Sequence, residues 1–277
     1  MAKNQNKSID FDSYYEEIFK NRWKALKEAL LQEPYSIKLQ FEKDLEAYFM
    51  DAASLFAATA LPLDKAENVL DLCAAPGGKS LVLSAFLPNE ANLLANELSM
   101  QRRERLISVL NQSLPKTILE KIKISPYDGS IMYKRNIEYF DAILCDLPCS
   151  SERHVLKSPK HLTAWTKGRI KNLSFTQSAL ISSAFLMLKP RGYLLYATCA
   201  LTEIENDTVI QKLLKKHPTA SVLDLDIGQI KEKILNTFNI AIDLKPEKTQ
   251  YGYHILPDTS KGAGPLYLSL IQKGIFE

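Results

Sequence analysis

Residues Val69–Ser80, VLDLCAAPGGKS, constrain what this chain can fold into more than any other stretch. A short apolar run meets an aspartate and opens into a Cys-Ala-Ala-Pro-Gly-Gly turn ahead of a lysine. Such a run reads as a buried parallel strand, and the small residues after it let a helix begin close to the strand end. Pro76 fixes the backbone of the turn, while Gly77 and Gly78 let main-chain atoms approach a ligand with no Cβ in the way. Roughly twenty residues on, Leu93–Glu97 is a second apolar run ending in a carboxylate, the spacing at which an acidic side chain meets ribose hydroxyls in Rossmann-like sites. Together these features predict a nucleotide-type cofactor site and leave the reaction open.

From Val69 onward strand and helix patterns alternate, the sign of a mostly parallel sheet covered on both faces. Strands are expected at Val69–Leu72, Leu93–Ala95, Ile122–Ile124, Asp141–Cys145, Tyr193–Ala197 and Ser221–Leu225. Helices are expected at Lys79–Phe86, Met100–Gln112, within Leu162–Leu188, and at Glu203–Lys216. Leu266–Gln272 is apolar and β-prone. If it inserts antiparallel, the fold by analogy is that of a class I S-adenosylmethionine-dependent methyltransferase, α/β and Rossmann-like with seven strands.

Upstream, residues 1–10 are polar and expected to be loose. Ser13-x-x-Glu16 has the form of a capping box. Tyr15, Ile18, Phe19, Trp23, Leu26 and Leu30 then recur at helical spacing up to Glu33-Pro34. Phe41 to Leu61 reads as a second helix closed by Pro62. Residues 1–62 are therefore expected to be a short helical extension packed on a catalytic domain of residues 63–277, with no repeat or linker between them.

Composition narrows the classes. With 277 residues, 46% hydrophobic and 24% charged, the chain is ordinary for a globular protein, and its net charge of +3 permits a nucleic-acid partner without demanding one. Four cysteines, at 73, 145, 149 and 199, are too scattered for a disulfide framework, and Cys145 and Cys149 have no second pair with which to hold zinc. No metal is expected. No apolar run reaches the ~18 residues of a membrane span. The N-terminal sequence turns acidic early and has neither an apolar leader core nor transit-peptide character, so a reducing cytoplasm is the expected location.

Ligands of open α/β sheets sit beyond the carboxyl ends of the strands. Beyond the third expected strand come Asp128 and Gly129, which alone read as a surface turn but at this place also let Asp128 accept from an adenine amino group. Beyond the fourth come Asp146 and Cys149, and beyond the fifth Thr198 and Cys199. Cys145 and Cys73 fit the role of small buried hydrophobes. Cys149 and Cys199 gain weight because their strand ends should converge on one crevice, where a thiolate is a competent nucleophile.

VLDLCAAPGGKS, FDAILCDLPCSSERH, LKPRGYLLYATCALTEIEND and YFMDAASLFAATAL together resemble the Fmu/Sun/NSUN family of RNA cytosine-5 methyltransferases, most of all its compact mitochondrial ribosomal-RNA member. The resemblance covers nearly the whole chain. It implies that the turn Cys73, Ala74, Ala75, Pro76, with Gly77, Gly78 and Lys79, holds the methionyl part of S-adenosylmethionine. It places Glu97 on the ribose hydroxyls, Arg102 beside the cofactor, Asp128 and Gly129 at the adenine, and Asp146 facing both cofactor and target base. It makes Cys199 the nucleophile and Cys149 the residue that assists product release. Two positions depart from the family pattern: Glu97 stands where aspartate is usual, and Arg191 replaces a glycine, leaving only Gly192 for a positive φ in that turn.

The implied chemistry needs these groups. C5 of cytosine is a poor carbon nucleophile; a thiolate adding to C6 makes the ring enamine-like and able to take a methyl group. Asp146, protonated or hydrogen-bonded at N3, would stabilise the developing charge, helped by a desolvated pocket and a raised pKa. The base that removes the C5 proton is not evident. The target base must leave its stack, so RNA with an accessible cytidine is the expected partner. Ribosomal RNA ranks first and transfer RNA next. Backbone contacts are expected from Arg102, Arg103 and Arg105 and from the Arg153–Lys171 segment, with Trp165 able to stack a base. A monomer is expected, and a protein partner is a candidate source of specificity. Two other functions are compatible with the fold: methylation of a base amino group, which usually puts an aromatic residue where Cys149 stands, and a non-catalytic RNA-binding assembly factor.

Overall fold

The computed structural model describes residues 10–275; the expectation for the first nine residues lies outside them. The strands are β1 (Ser36–Leu39), β2 (Tyr48–Asp51), β3 (Asn68–Asp71), β4 (Asn92–Asn96), β5 (Ile122–Ser125), β6 (Phe140–Asp146), β7 (Leu188–Thr198), β8 (Ala220–Leu223), β9 (Glu247–Lys248), β10 (Tyr253–Ile255) and β11 (Leu266–Lys273). The main sheet runs β5-β4-β3-β6-β7-β11-β10-β9, with β8 also paired to β11. Strands β5 to β7 in that order are parallel, and β11 enters antiparallel against β7. This is the class I methyltransferase arrangement with β9 and β10 added, nine strands rather than the seven expected. The addition escaped the sequence because β9 is two residues long and β10 three, too short for a period to register.

The parallel strands read as continuous apolar runs because both faces are covered. In β6, Ala142 and Leu144 pack into one hydrophobic cluster, and Ile143 and Cys145 into the cluster on the opposite face. The helices Gly78–Ala85, Met100–Ser113, Lys167–Met187 and Asp207–Lys216 fall where the sequence predicts them. A helix at Ile227–Phe238 was not foreseen.

The upstream region departs further from expectation. Asp10, not Ser13, caps the first helix, accepting from the Ser13 N–H at 3.0 Å. The expected single helix is two, Phe11–Phe19 and Trp23–Leu31, divided by a 3-10 turn at Lys20–Arg22 where Lys20 takes φ 52°. The helix expected over Phe41–Leu61 is only Ala52–Thr59; before it, β1 and β2 pair as an antiparallel hairpin. Asp51 is decisive, ending β2 in extended geometry and capping the helix through Ala53 N–H at 2.7 Å. The extension is therefore mixed, not purely helical.

Phe11, Tyr14, Tyr15, Trp23, Leu26 and Leu30 form an aromatic-rich cluster with Val155, Trp165 and Leu201. Trp165 is only 7% exposed and lies against the Phe11, Tyr14 and Tyr15 rings, so it is a packing residue and cannot stack a base from this position. In the turn before β7's apolar half, Arg191 itself adopts φ 66°. Gly192 serves a different need: a Cβ there would stand 2.9 Å from the Asp141 carbonyl.

Candidate active site

Because β3, β4, β5, β6 and β7 are parallel, their carboxyl ends fall on one side of the sheet and carry the candidate residues with them. Beyond β3 the turn Cys73–Gly77 contains a cis Ala75–Pro76 peptide and Gly77 at φ 117°, a conformation that glycine alone adopts without strain. Gly78 opens the following helix with Tyr48 so near that a Cβ would come within 2.7 Å of its ring. Arg102, from the next helix, donates to the Ala75 carbonyl at 2.7 Å and so braces this turn.

A cavity of about 690 Å³ is lined by Cys73, Glu97, Arg102, Asp128, Gly129 and Leu180, among others. Glu97 is buried; its Oε1 accepts from Ser99 N–H at 2.9 Å, while Oε2 has no hydrogen-bond partner and only the Arg102 guanidinium at 3.3 Å. A buried carboxylate oxygen left in this state fits a ligand hydroxyl. Asp128 combines the two expectations for it: it forms the turn, accepting from Ser130 N–H at 2.9 Å, and it lines the cavity.

A second cavity of about 200 Å³ joins Tyr48, Phe49, Asp71, Ala74, Ala75, Pro76, Gly78, Lys79 and Asp146. A third, of about 500 Å³, contains Cys199, Ser151, Arg153, His154 and Lys157. Asp51, Ser54, Lys79 and Asp146 line both, so these two cavities adjoin across the Lys79–Asp146 ion pair, which is 2.7 Å long. Burial disfavours the Lys79 ammonium, but the Asp146 carboxylate outweighs it and holds the amine above its ordinary range. The desolvated carboxyl expected at Asp146 is not found; its side chain is 31% exposed and salt-bridged.

The two cysteines do converge. Their sulfurs stand 2.7 Å apart, with Ser151 Oγ 3.3 Å from Cys199 Sγ. Their surroundings differ. Cys199 lines the 500 Å³ cavity with Asp146, whereas Cys149 is buried and lines none of the three. The hydrogen bond with Cys199 and then burial push the Cys149 thiol well up. Cys145 is fully buried and its thiol is pushed up by burial, as a packing residue's should be.

The sequence missed Asp71, Asp51 and Ser54. Asp71 is buried, accepts from Ser80 Oγ at 2.7 Å and keeps Oδ1 unpartnered, with burial pushing its carboxyl up to about 7. A carboxylate inside an otherwise apolar strand was the available signal. Arg102 and Arg103, expected partly as RNA contacts, are spent locally on Glu97, Ala75 and the Glu97 and Leu98 carbonyls. Among the described residues no group of three or more His, Cys, Asp or Glu side chains is placed to hold a metal, and no helix is long and apolar enough to cross a membrane.

This fold and the glycine turn beyond its first parallel strand define a protein of the class I methyltransferase fold. The crystal structure of a methyltransferase homologue from Pyrococcus horikoshii superposes with a TM-score of 0.68 at 21% identity, over 94% of this chain and 93% of that one. The structure of NSun6 from the same organism with SFG gives 0.66 at 19% identity over 84% and 55%. Residues 58–267 match the model of the 16S rRNA methyltransferase RsmB/F family, and the chain belongs to that family. It is 35% identical to the mouse mitochondrial tRNA (cytosine(34)-C(5))-methyltransferase over 82% of this chain and 64% of the relative. It is 33% identical to the bovine 5-cytosine rRNA methyltransferase NSUN4 over 80% and 58%. The chain thus spans roughly three-fifths of the length of these relatives.

Proposed function

We infer that this chain is an S-adenosylmethionine-dependent RNA cytosine-C5 methyltransferase working through a covalent cysteine–C6 intermediate. The observation that carries this reading is the single cavity in which Cys199 and Asp146 meet, next to the glycine turn. S-adenosylmethionine, when bound, supplies an electrophilic methyl group. The glycine turn, with Cys73, Ala74, Ala75, Pro76, Gly77, Gly78 and Lys79, would enclose its methionyl end. Glu97 would take the ribose, braced by Arg102, and Asp128 and Gly129 would border the base.

With a cytidine in the 500 Å³ cavity, the Cys199 thiolate adds to C6 and moves the electron pair toward C5, which takes the methyl group. Loss of the C5 proton returns the pair to the ring and expels Cys199. Asp146, held by Lys79, hydrogen-bonds the ring edge; Cys149 assists expulsion. Arg153, His154 and Lys157 on the cavity wall meet the RNA backbone. Ribosomal RNA is the favoured substrate, in keeping with the family description, and transfer RNA the next. The first two helices, Phe11–Phe19 and Trp23–Leu31, buttress the Glu152–Ile170 wall and so serve RNA handling or stability, while Tyr48, Phe49, Asp51 and Ser54 further along the extension line the 200 Å³ cavity. A monomer in a reducing compartment, the cytoplasm, completes the reading.

The test is transfer of labelled methyl to total RNA followed by nucleoside analysis. Label in 5-methylcytidine supports the reading; label in another nucleoside, or none, overturns it. Glu97→Ala should weaken cofactor binding about 30-fold, from ~2 kcal/mol of charge-assisted hydrogen bonding, measured by calorimetric titration. Unchanged affinity would remove Glu97 from the cofactor site.

A further inference from the structure

Two glutamates of this site are buried and line none of the three cavities. Glu152 and Glu205 are both 0% exposed, and among the described residues neither enters an ion pair. Between them stands Ser150, the residue after Cys149. Its hydroxyl oxygen is 2.5 Å from Glu152 Oε1 and 2.5 Å from Glu205 Oε2. A serine hydroxyl carries one proton, which can occupy one of these contacts. The other brings two oxygens to hydrogen-bonding distance and requires a proton from a carboxyl group.

The remaining contacts locate that proton. Both oxygens of Glu152 already accept, Oε1 from the Tyr15 hydroxyl at 2.5 Å and Oε2 from Leu201 N–H at 3.3 Å. Glu205 Oε1 accepts from Ser150 N–H at 2.9 Å and from the Gln177 amide at 3.0 Å. Glu205 Oε2 has, besides Ser150, only a long 3.4 Å contact with the Thr202 hydroxyl. The consistent chain of donors runs from Glu205 Oε2 to Ser150 Oγ to Glu152 Oε1.

We propose that Glu152 and Glu205 hold a single proton in common, seated on Glu205 Oε2, and that this proton ties the Cys149 loop to the Cys199 loop, which makes both glutamates positioning residues for the thiols. The positioning half rests on the reaction proposed above; the shared proton does not. Ser150 and Pro148 are held on one side, the latter by Gln177 at 2.9 Å, and Leu201 on the other. Tyr15 adds the first helix to the same knot through its bond to Glu152.

The groups facing the pair are Tyr14 and Tyr15 from the first helix, Gln177 from the long helix, Tyr196 from β7, and Cys149 and Thr202 from the loops. None is a cation. Burial, then the neighbouring Glu205, pushes the Glu152 carboxyl up to about 7, and burial pushes Glu205 up as well. A carboxyl raised in the folded state contributes stability below its unfolded value, and that contribution is lost as pH rises through the folded one. The tie should therefore loosen as pH rises above the ordinary carboxylate range.

Glu205→Gln copies the protonated carboxyl, its carbonyl taking the two Oε1 donors and its amide N–H replacing the proton toward Ser150. Thermal melting from pH 4.5 to 9 should show this variant matching wild type at the acid end and exceeding it by about 3 °C or more at pH 9. Glu152→Gln, which turns an amide N–H toward an existing donor, should melt below wild type at the acid end. Parallel curves for wild type and Glu205→Gln, or a Glu205→Gln protein that melts well below wild type at the acid end or fails to fold, would overturn the shared proton. In methyl transfer, the ratio of kcat at pH 9 to kcat at pH 7 should be about tenfold or more higher in Glu205→Gln than in wild type. An unchanged ratio alongside the melting shift would overturn the positioning role. Wild type without methyl transfer would count against the reaction instead, and the melting comparison would still decide the proton.

Discussion

Cys199→Ala is expected to lower methyl transfer by about 10⁴-fold or more, because in the proposed reaction it removes the atom that makes C5 reactive rather than a contact that improves binding. The expectation follows from where the two thiols point. Cys199 shares a cavity with Asp146 and Lys79, whereas Cys149 is buried behind it with its thiol pushed well up. A base entering that cavity meets Cys199 first. Cofactor affinity should be unchanged, since Glu97, Asp128 and the glycine turn line other cavities that exclude Cys199. Parallel calorimetry and label-transfer assays separate the two effects. A variant retaining more than about a tenth of wild-type transfer would remove Cys199 from the covalent step.

Most of this site was legible because its residues sit at strand ends, and strand ends are what apolar runs announce. Val69–Leu72 and Asp141–Cys145 each identify a buried parallel strand, and the topology alone then brings Cys73, Asp146 and Cys149 to one side of the sheet. Where local pattern and tertiary context competed, the sequence misled. Phe41, Leu45, Phe49 and Ala52 keep helical spacing by coincidence; Phe49 is 64% exposed on a hairpin strand. Trp165 lies in a basic segment and looked available to RNA, yet the aromatic residues of the first helix bury it. The Glu152–Ser150–Glu205 relay was invisible for another reason. Its carboxyls and their partners Tyr15 and Gln177 come from four separate elements, and a proton shared between them has no sequence period.

Cys149→Ala is expected to trap rather than simply slow the enzyme, leaving a covalent protein–RNA adduct that survives a denaturing gel. In the wild-type geometry the Cys149 sulfur is 2.7 Å from Cys199 Sγ, so once Cys199 is bonded to C6 the second thiol stands beside the bond that must break. In the proposed reaction neither addition nor methyl transfer uses that atom, so removing it should slow only the expulsion of Cys199. Burial together with the bond to Cys199 keeps this thiol protonated, so it does not compete as nucleophile at neutral pH. The adduct should require both RNA and S-adenosylmethionine and should vanish in the Cys149→Ala, Cys199→Ala double variant. An adduct formed instead by Cys199→Ala would exchange the roles of the two cysteines. Its absence from both single variants, with 5-methylcytidine still produced, would show that release does not pass through Cys149. Ser151, whose hydroxyl lies 3.3 Å from Cys199 Sγ, would then be the side chain to replace next.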